Sequence, residues 1–232
     1  MFVFDDNSKS FCRRLIVVTN RREPTQERSR QLVDSVISGA IRLLRTAPPD
    51  TITTALLAEE AGCSVAAMYR FFTDKESIFD AAAGRLQEQL RARYTTVLAA
   101  LPPSATIDET VDALLDVTAA FLRKEPAFRA LRWKNAARTV EVERVYKESN
   151  RFLADRLHER FGGSAKGTRH AFDSAVEAAG HLVGVAFEHN AKGDPQILDN
   201  ARVMAKLFLA DALRPATARR ELSVSRVIPS EI

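Results

Sequence analysis

Apolar residues recur at three-and-four spacing along most of this chain, broken only by short clusters of proline, glycine and helix-capping residues, and that rhythm restricts it to an all-α fold. In residues 28–45, Val33, Val36, Ile37, Ala40, Ile41 and Leu44 share one helix face, and Pro48 and Pro49 close the segment. Two short helices follow, over 54–61 and 64–72, separated by Gly62 and Cys63. After Thr73 and Asp74 a longer pattern occupies 75–101, with Ile78, Phe79, Ala82, Leu86, Leu90, Tyr94 and Leu98 on one stripe; Pro102 and Pro103 stop it. The spacing then predicts helices over 107–124, 126–138, 140–160, 168–192 and 195–213. Between the last two, Asp194 can cap and Pro195 can occupy the first helical turn. The expectation is about nine helices with very little sign of strands.

With 232 residues, 46% of them hydrophobic, the chain can bury one large core or two small ones. Its apolar runs, such as 15–18 and 207–210, fall far short of the roughly 18 residues that span a bilayer, so no membrane association is expected. Arg13 and Arg14 interrupt the stretch that would have to serve as a secretory signal. Cys12 and Cys63 lie far apart without a C-x-x-C pattern, which suits a reducing cytoplasm and argues against a disulfide or zinc site. The net charge of +4 says little until it is located. Residues 9–45 hold nine basic side chains against three acidic ones, whereas 161–213 hold five against six. Such a basic end is either an electrostatic foothold for an anionic partner or a solvated helix face.

Residues 53–72 carry the chemistry. Two short helices meeting at a glycine, with Leu57, Ala58, Ala61, Val65 and Met68 available to pack between them, make a helix-turn-helix candidate; an ordinary helical hairpin is the plain alternative. Gly62 can take the left-handed conformation that ends the first helix, and Ser64 is a natural N-cap of the second. The small Ala66 and Ala67 would let that second helix sit deep in a DNA major groove, where alanine can touch a thymine methyl.

This region resembles the DNA-binding domain of TetR-family transcriptional regulators. The resemblance rests on Leu57-Ala58-Glu59-Glu60-Ala61-Gly62-Cys63-Ser64, on Tyr69-Arg70-Phe71-Phe72-Thr73-Asp74-Lys75 and on the Arg22 to Arg30 lead-in, and covers roughly residues 21–90. Cys63 stands where valine is commoner, and Phe72 follows Phe71 where many members have His-Phe. The resemblance implies that Thr54 and Lys75, at two helix starts, hold DNA phosphates, with Tyr69 and Arg70 as further phosphate contacts. It also implies that Val65, Ala66 and Ala67 face base edges, while Phe72 and Phe79 belong to the core. A core role for Tyr69 is the alternative. Arg21 and Arg22 either reach an adjacent minor groove as a flexible arm or merely solubilise the end of the chain.

Residues 105–213 carry no such motif, and only shape can be read there. The 168–192 segment is apolar around much of its circumference and carries Gly180 and Gly184 four apart. With the 195–213 segment it has more apolar face than one monomer covers easily. Pairing across a two-fold axis as a four-helix bundle, as TetR-like proteins do, is the expected solution, with Phe172, Val176, Gly180, Val183, Gly184, Phe187, Met204 and Phe208 at the interface; burial inside the monomer is the alternative. Phe121, Phe128, Trp133, Tyr146 and Phe152, with His181 beside them, are the candidate lining of an effector pocket for a small apolar or aromatic ligand.

The organisation expected is therefore a disordered extension over 1–20, a three-helix DNA-binding domain over 21–74, a connecting helix over 75–104, a ligand-binding and dimerisation domain over 105–213, and a flexible tail over 214–232. No catalytic motif, cofactor or metal is expected: H-E-x-x-H, G-x-S-x-G, G-x-G-x-x-G and Walker patterns are absent, and the spacing of Glu177 and His181 is of a kind common by chance. The expected partners are a palindromic double-stranded operator, a second copy of the chain and a small-molecule effector, with a repressor released from DNA by its ligand as the mechanism. The competing reading is a helical enzyme or scaffold whose front end only mimics a helix-turn-helix.

Overall fold

A computed structural model describes residues 27–133, 140–162 and 168–214. The expected arm with Arg21 and Arg22, the 1–20 extension and the 215–232 tail lie outside the described residues, as does the side chain of Trp133. Every regular element described is helical, nine α-helices and one 3-10 turn.

Helix α1 (Glu27–Leu44) buries the whole predicted stripe from Val33 to Leu44. A 3-10 turn (Pro49–Thr51) follows, because proline ends one helix and its fixed φ suits the start of the next turn. Three caps then set three helix starts. Thr53 Oγ1 accepts from the Leu56 amide at 3.2 Å ahead of α2 (Thr54–Glu60). Ser64 Oγ accepts from the Ala67 amide at 3.1 Å ahead of α3 (Val65–Met68). Asp74 Oδ1 accepts from the Ser77 amide at 2.7 Å ahead of α4 (Lys75–Ala100), and Ser77 reaches back to the Asp74 amide. The recognition segment, expected as a helix over 64–72, has only four α-helical residues; it continues as turns in which the Phe71 and Phe72 amides both donate to Met68 O.

Behind these come α5 (Ile107–Lys124), α6 (Pro126–Trp133), α7 (Val140–Phe161), α8 (Thr168–Glu188) and α9 (Pro195–Ala212). Helix α8 stops at Glu188, short of the expected 192, because the chain turns through Gly193 at φ +78° and the Asp194 amide returns to Ala186 O at 2.8 Å. Asp194 then caps α9, accepting from the Gln196 and Ile197 amides, with Pro195 in the first turn as expected. Helices α8 and α9 form the tightest pair, α7 packs on α8, and α5 packs on α9.

Helix α4 joins the two halves. Its Arg85 guanidinium bonds Ser38 Oγ of α1 at 3.1 Å, and further along Tyr94 bonds Thr118 of α5 at 2.8 Å. The buried side chains form one continuous cluster from Val33 through Phe79 and Leu90 to Leu209. Ion pairs tie the rear helices together: Arg202 and Lys206 of α9 both reach Asp112 of α5, at 3.1 and 2.7 Å. Burial pushes the Asp112 carboxyl up, but hydrogen bonds from Lys206 and Arg202 outweigh it and leave the group below its ordinary value.

Candidate nucleic-acid interface and interior cavity

The turn between α2 and α3 depends on Gly62, whose φ of +66° only glycine adopts without strain. The amides of Gly62 and Cys63 there close back on Glu59 O and Ala58 O, at 3.0 and 2.9 Å. Leu57, Ala58 and Met68 are buried between the two helices, which leaves the opposite face of α3 free. That face presents Val65 at 36% and Tyr69 at 37% exposure, with Ala66 and Arg70 exposed and Ala67 partly so. Thr54 is half-buried in the first turn of α2. Lys75, also half-buried, donates from Nζ to Pro49 O at 3.3 Å and so ties the start of α4 to the turn that precedes α2. Phe72 and Phe79 are core residues. Burial pushes the Cys63 thiol up, which keeps the thiol form beside this surface.

Two arginines counted in the basic excess have structural partners instead. Arg42 Nε meets Glu60 Oε1 at 2.5 Å, and its Nη2 bonds the Glu60 carbonyl at 3.1 Å, so it closes the C-terminal end of α2. Arg45 forms a two-point pair with Glu125 at the end of α5, at 2.9 and 2.6 Å. Periodicity could not show this, because both partners are distant in sequence. Arg28 and Arg30 stay exposed on the first turns of α1.

The rear half holds a cavity of about 70 Å³ between α4, α5, α6, α7, α8 and α9. Its walls are mostly aliphatic, including Leu90, Val111, Leu114, Leu153 and Leu209, with Gln87, Tyr94, Thr118, Arg132 and Asn150 as its polar side chains. None of the five expected pocket residues with a described side chain lines it. Phe121, Phe128 and Tyr146 instead stack edge to face, with centroids 5.2 and 5.8 Å apart, as a solid seam between α5, α6 and α7. Phe152 lies under the guanidinium groups of Arg91 and Arg156, and His181 is exposed. The aromatic signal misled because edge-to-face rings fill space well, whereas small and aliphatic side chains leave it open.

The expected dimer residues also divide. Phe172, Val176, Val183, Gly184 and Phe187 are buried within the single chain, and Phe172 packs edge to face on His158 at 5.9 Å. Val176, Gly180 and Val183 line the cavity, and Gly180 O accepts from Arg132 at 3.3 Å. These placements correct the expected assignment, because α7 and α9 cover that side of α8. Phe208 is 45% exposed, and Met204 lies beside it on a surface shared with Val203 and Leu207 at 56% and 67% exposure.

Family profiles match both halves. Residues 36–82 match "Bacterial regulatory proteins, tetR family", and residues 105–213 match "Tetracyclin repressor-like, C-terminal domain". The chain belongs to the TetR family. It is a DNA-binding transcriptional regulator by fold and by kinship. A TetR-family regulator from Streptomyces coelicolor superposes with a TM-score of 0.65 at 27% identity, covering 80% of this chain and 99% of that one. The fatty acid degradation regulator FadR from Bacillus halodurans shares the fold, with a TM-score of 0.59 at 14% identity over 82% of this chain and 96% of that one. The nucleoid occlusion factor SlmA of Colwellia psychrerythraea is 32% identical over 84 residues, which span 36% of this chain and 40% of SlmA. The TetR-family chain thus spans under half the length of that curated relative. Among the described residues no group of His, Cys, Asp and Glu side chains is placed to hold a metal, and no helix is long and apolar enough to cross a membrane.

Proposed function

We propose that the protein is a homodimeric repressor that leaves a palindromic operator when a small, largely apolar effector enters the rear cavity. The observation that carries this reading is the double duty of α4. Lys75 begins it beside the recognition turn, while Gln87, Leu90 and Tyr94, farther along the same helix, form part of the cavity wall. A ligand that fits the cavity only when α4 shifts would move the recognition helices with it, provided it binds the two states unequally.

On the operator, Val65, Ala66 and Ala67 meet base edges, Thr54, Tyr69, Arg70 and Lys75 hold phosphates, and Ser64 keeps the α3 start rigid. The second copy docks on the outer face of α8 and α9, where Val185, Val203, Leu207 and Phe208 are exposed. Dimerisation places two recognition helices in successive major grooves about one helical turn apart. The division at 21–74, 75–104 and 105–213 and a cytoplasmic location belong to the same reading.

Electrophoretic shift of DNA from beside the protein's own gene tests it. Tyr69→Phe and Lys75→Ala are expected to weaken binding to all sequences alike. Lys75→Ala should also lower the log–log salt slope by about 0.9, the share of the one phosphate that its ammonium neutralises. An unchanged slope, or weakening confined to particular sequences, would sink the phosphate assignments. A failure to shift any such fragment would remove the reading of a repressor that acts beside its own gene.

A further inference from the structure

The cavity has a polarity that its aliphatic walls conceal. Gln87 is only 3% exposed in the middle of α4, and its Oε1 has no hydrogen-bond partner among the described residues. A buried carbonyl oxygen left without a donor is costly, and native structures rarely tolerate one without a use for it. Gln87 lines the cavity, so rotation of its side chain can bring the open acceptor to that site.

Tyr94, two turns along the same helix stripe, adds a second acceptor. Thr118 Oγ1 donates its single hydrogen to Leu114 O at 2.7 Å, so in the 2.8 Å pair with Tyr94 the phenol is the donor. The Tyr94 oxygen therefore keeps its lone pairs available. Burial pushes this phenol up, against smaller opposing effects of Thr118 and Arg132, and keeps it neutral. Two of the cavity's other polar side chains are engaged in the wall: Asn150 Nδ2 bonds Glu177 Oε2 at 2.7 Å, and Arg132 Nη2 bonds Gly180 O at 3.3 Å. The open oxygens that α4 offers a ligand, Gln87 Oε1 and the Tyr94 phenol, are hydrogen-bond acceptors.

We propose that the cavity selects a compact, uncharged, mostly apolar molecule carrying a hydroxyl or N–H group, which donates to Gln87 Oε1. This rests on the cavity being the effector site. It gives the ligand a direct hold on α4, so the bond that satisfies Gln87 acts on the helix that carries Lys75. A fatty carboxylate has no hydrogen to donate to Gln87 Oε1, whatever it gains from Arg132, and a pure hydrocarbon would also leave Gln87 unpaired.

The test is calorimetric titration of the full-length protein with three probes suited to a cavity of about 70 Å³. Pyrrole carries an N–H donor, furan is nearly the same shape without one, and butyrate is anionic. Pyrrole is expected to bind about five- to tenfold more tightly than furan, the usual worth of one net hydrogen bond. Gln87→Leu is expected to erase that preference while melting no lower than the parent protein, because it replaces an orphaned acceptor with a packed side chain. If Gln87→Leu folds poorly, Gln87→Met serves as the second variant. Equal binding of pyrrole and furan would overturn donor selection but leave the cavity as an effector site. Tightest binding of butyrate would overturn it in favour of an anion. A preference that survives in both variants would overturn the assignment to Gln87. Exclusion of all three probes would overturn the effector reading itself.

Discussion

The front and rear of the molecule solve opposite problems with the same secondary structure. In front, α2 and α3 have seven and four residues, far too short to hold together by their own hydrogen bonding. They are fixed by single capping side chains, Thr53 and Ser64, and by one left-handed glycine. Their caps are satisfied locally, so the α3 turn can present Val65, Ala66, Tyr69 and Arg70 to an outside partner. In the rear, helices of up to 22 residues are held by cross-helix contacts, and an uncommitted polar group lies inside, at Gln87. The front is built to be read by a large rigid polymer. The rear is built to be filled.

The strongest way to break that comparison is to remove the second copy. Leu207 and Phe208 are exposed in the single chain, so replacing both with glutamate costs the protomer little. The double variant Leu207→Glu/Phe208→Glu is expected to sediment as a monomer with unchanged helical circular dichroism. Its operator affinity should fall by about a hundredfold or more, since two linked half-site contacts become one. A variant that stays dimeric would show that the exposed α9 face serves something else.

The two turn glycines give a sharper contrast. Both have positive φ, +66° at Gly62 and +78° at Gly193, so alanine at either is strained by about 1 kcal/mol. At Gly62 a Cβ would meet nothing within 4 Å. At Gly193 it would lie 2.7 and 2.9 Å from the Phe187 ring and 3.1 Å from Leu198 Cδ1. Overpacking there adds about 1–3 kcal/mol. In urea unfolding, Gly193→Ala is expected to lose about 3 kcal/mol and Gly62→Ala about 1 kcal/mol. Equal losses would mean that the rear turn yields as readily as the front one.

The same contrast explains what could be read in advance. Caps, breakers and the Gly62 turn act over three or four residues, so Ser64, Asp194, Gly62 and the helix order were visible in the sequence. The stripes of α1 and α4 were visible because a helix repeats its inward face at fixed intervals. The cavity was not, since its wall draws on six helices scattered from Gln87 to Leu209, and the gap between them depends on how rings elsewhere pack. Gln87 gave no signal at all: a glutamine in mid-helix ordinarily reads as a solvated position, and only its 3% exposure makes it informative. The inward turn of Phe172 and Phe187 was hidden likewise, because a helix apolar on most sides does not say which side meets its own chain.

The smallest expected effect lies where the two regions touch. Just beyond α1, Arg45 clasps Glu125 at the end of α5, and helix α1 packs against α6. The hydrogen bond to Glu125, stronger than the opposing effect of burial, raises the pKa of Arg45, so the guanidinium keeps its charge. The Glu125 side chain is 8% exposed and that of Arg45 is 47% exposed, so water reaches one partner and weakens the attraction. Glu125→Gln keeps the shape and one acceptor but removes the charge, and is expected to cost about 1 kcal/mol. Where the loss appears matters more than its size. If front and rear are separately stable and only clasped together, hydrogen exchange should quicken in α1 and leave α8 unchanged. If the continuous buried cluster from Val33 to Leu209 makes them one cooperative unit, both helices should quicken by the same factor. Clasped halves are the expectation, because a regulator whose rear controls its front needs a joint that can shift without unfolding either side.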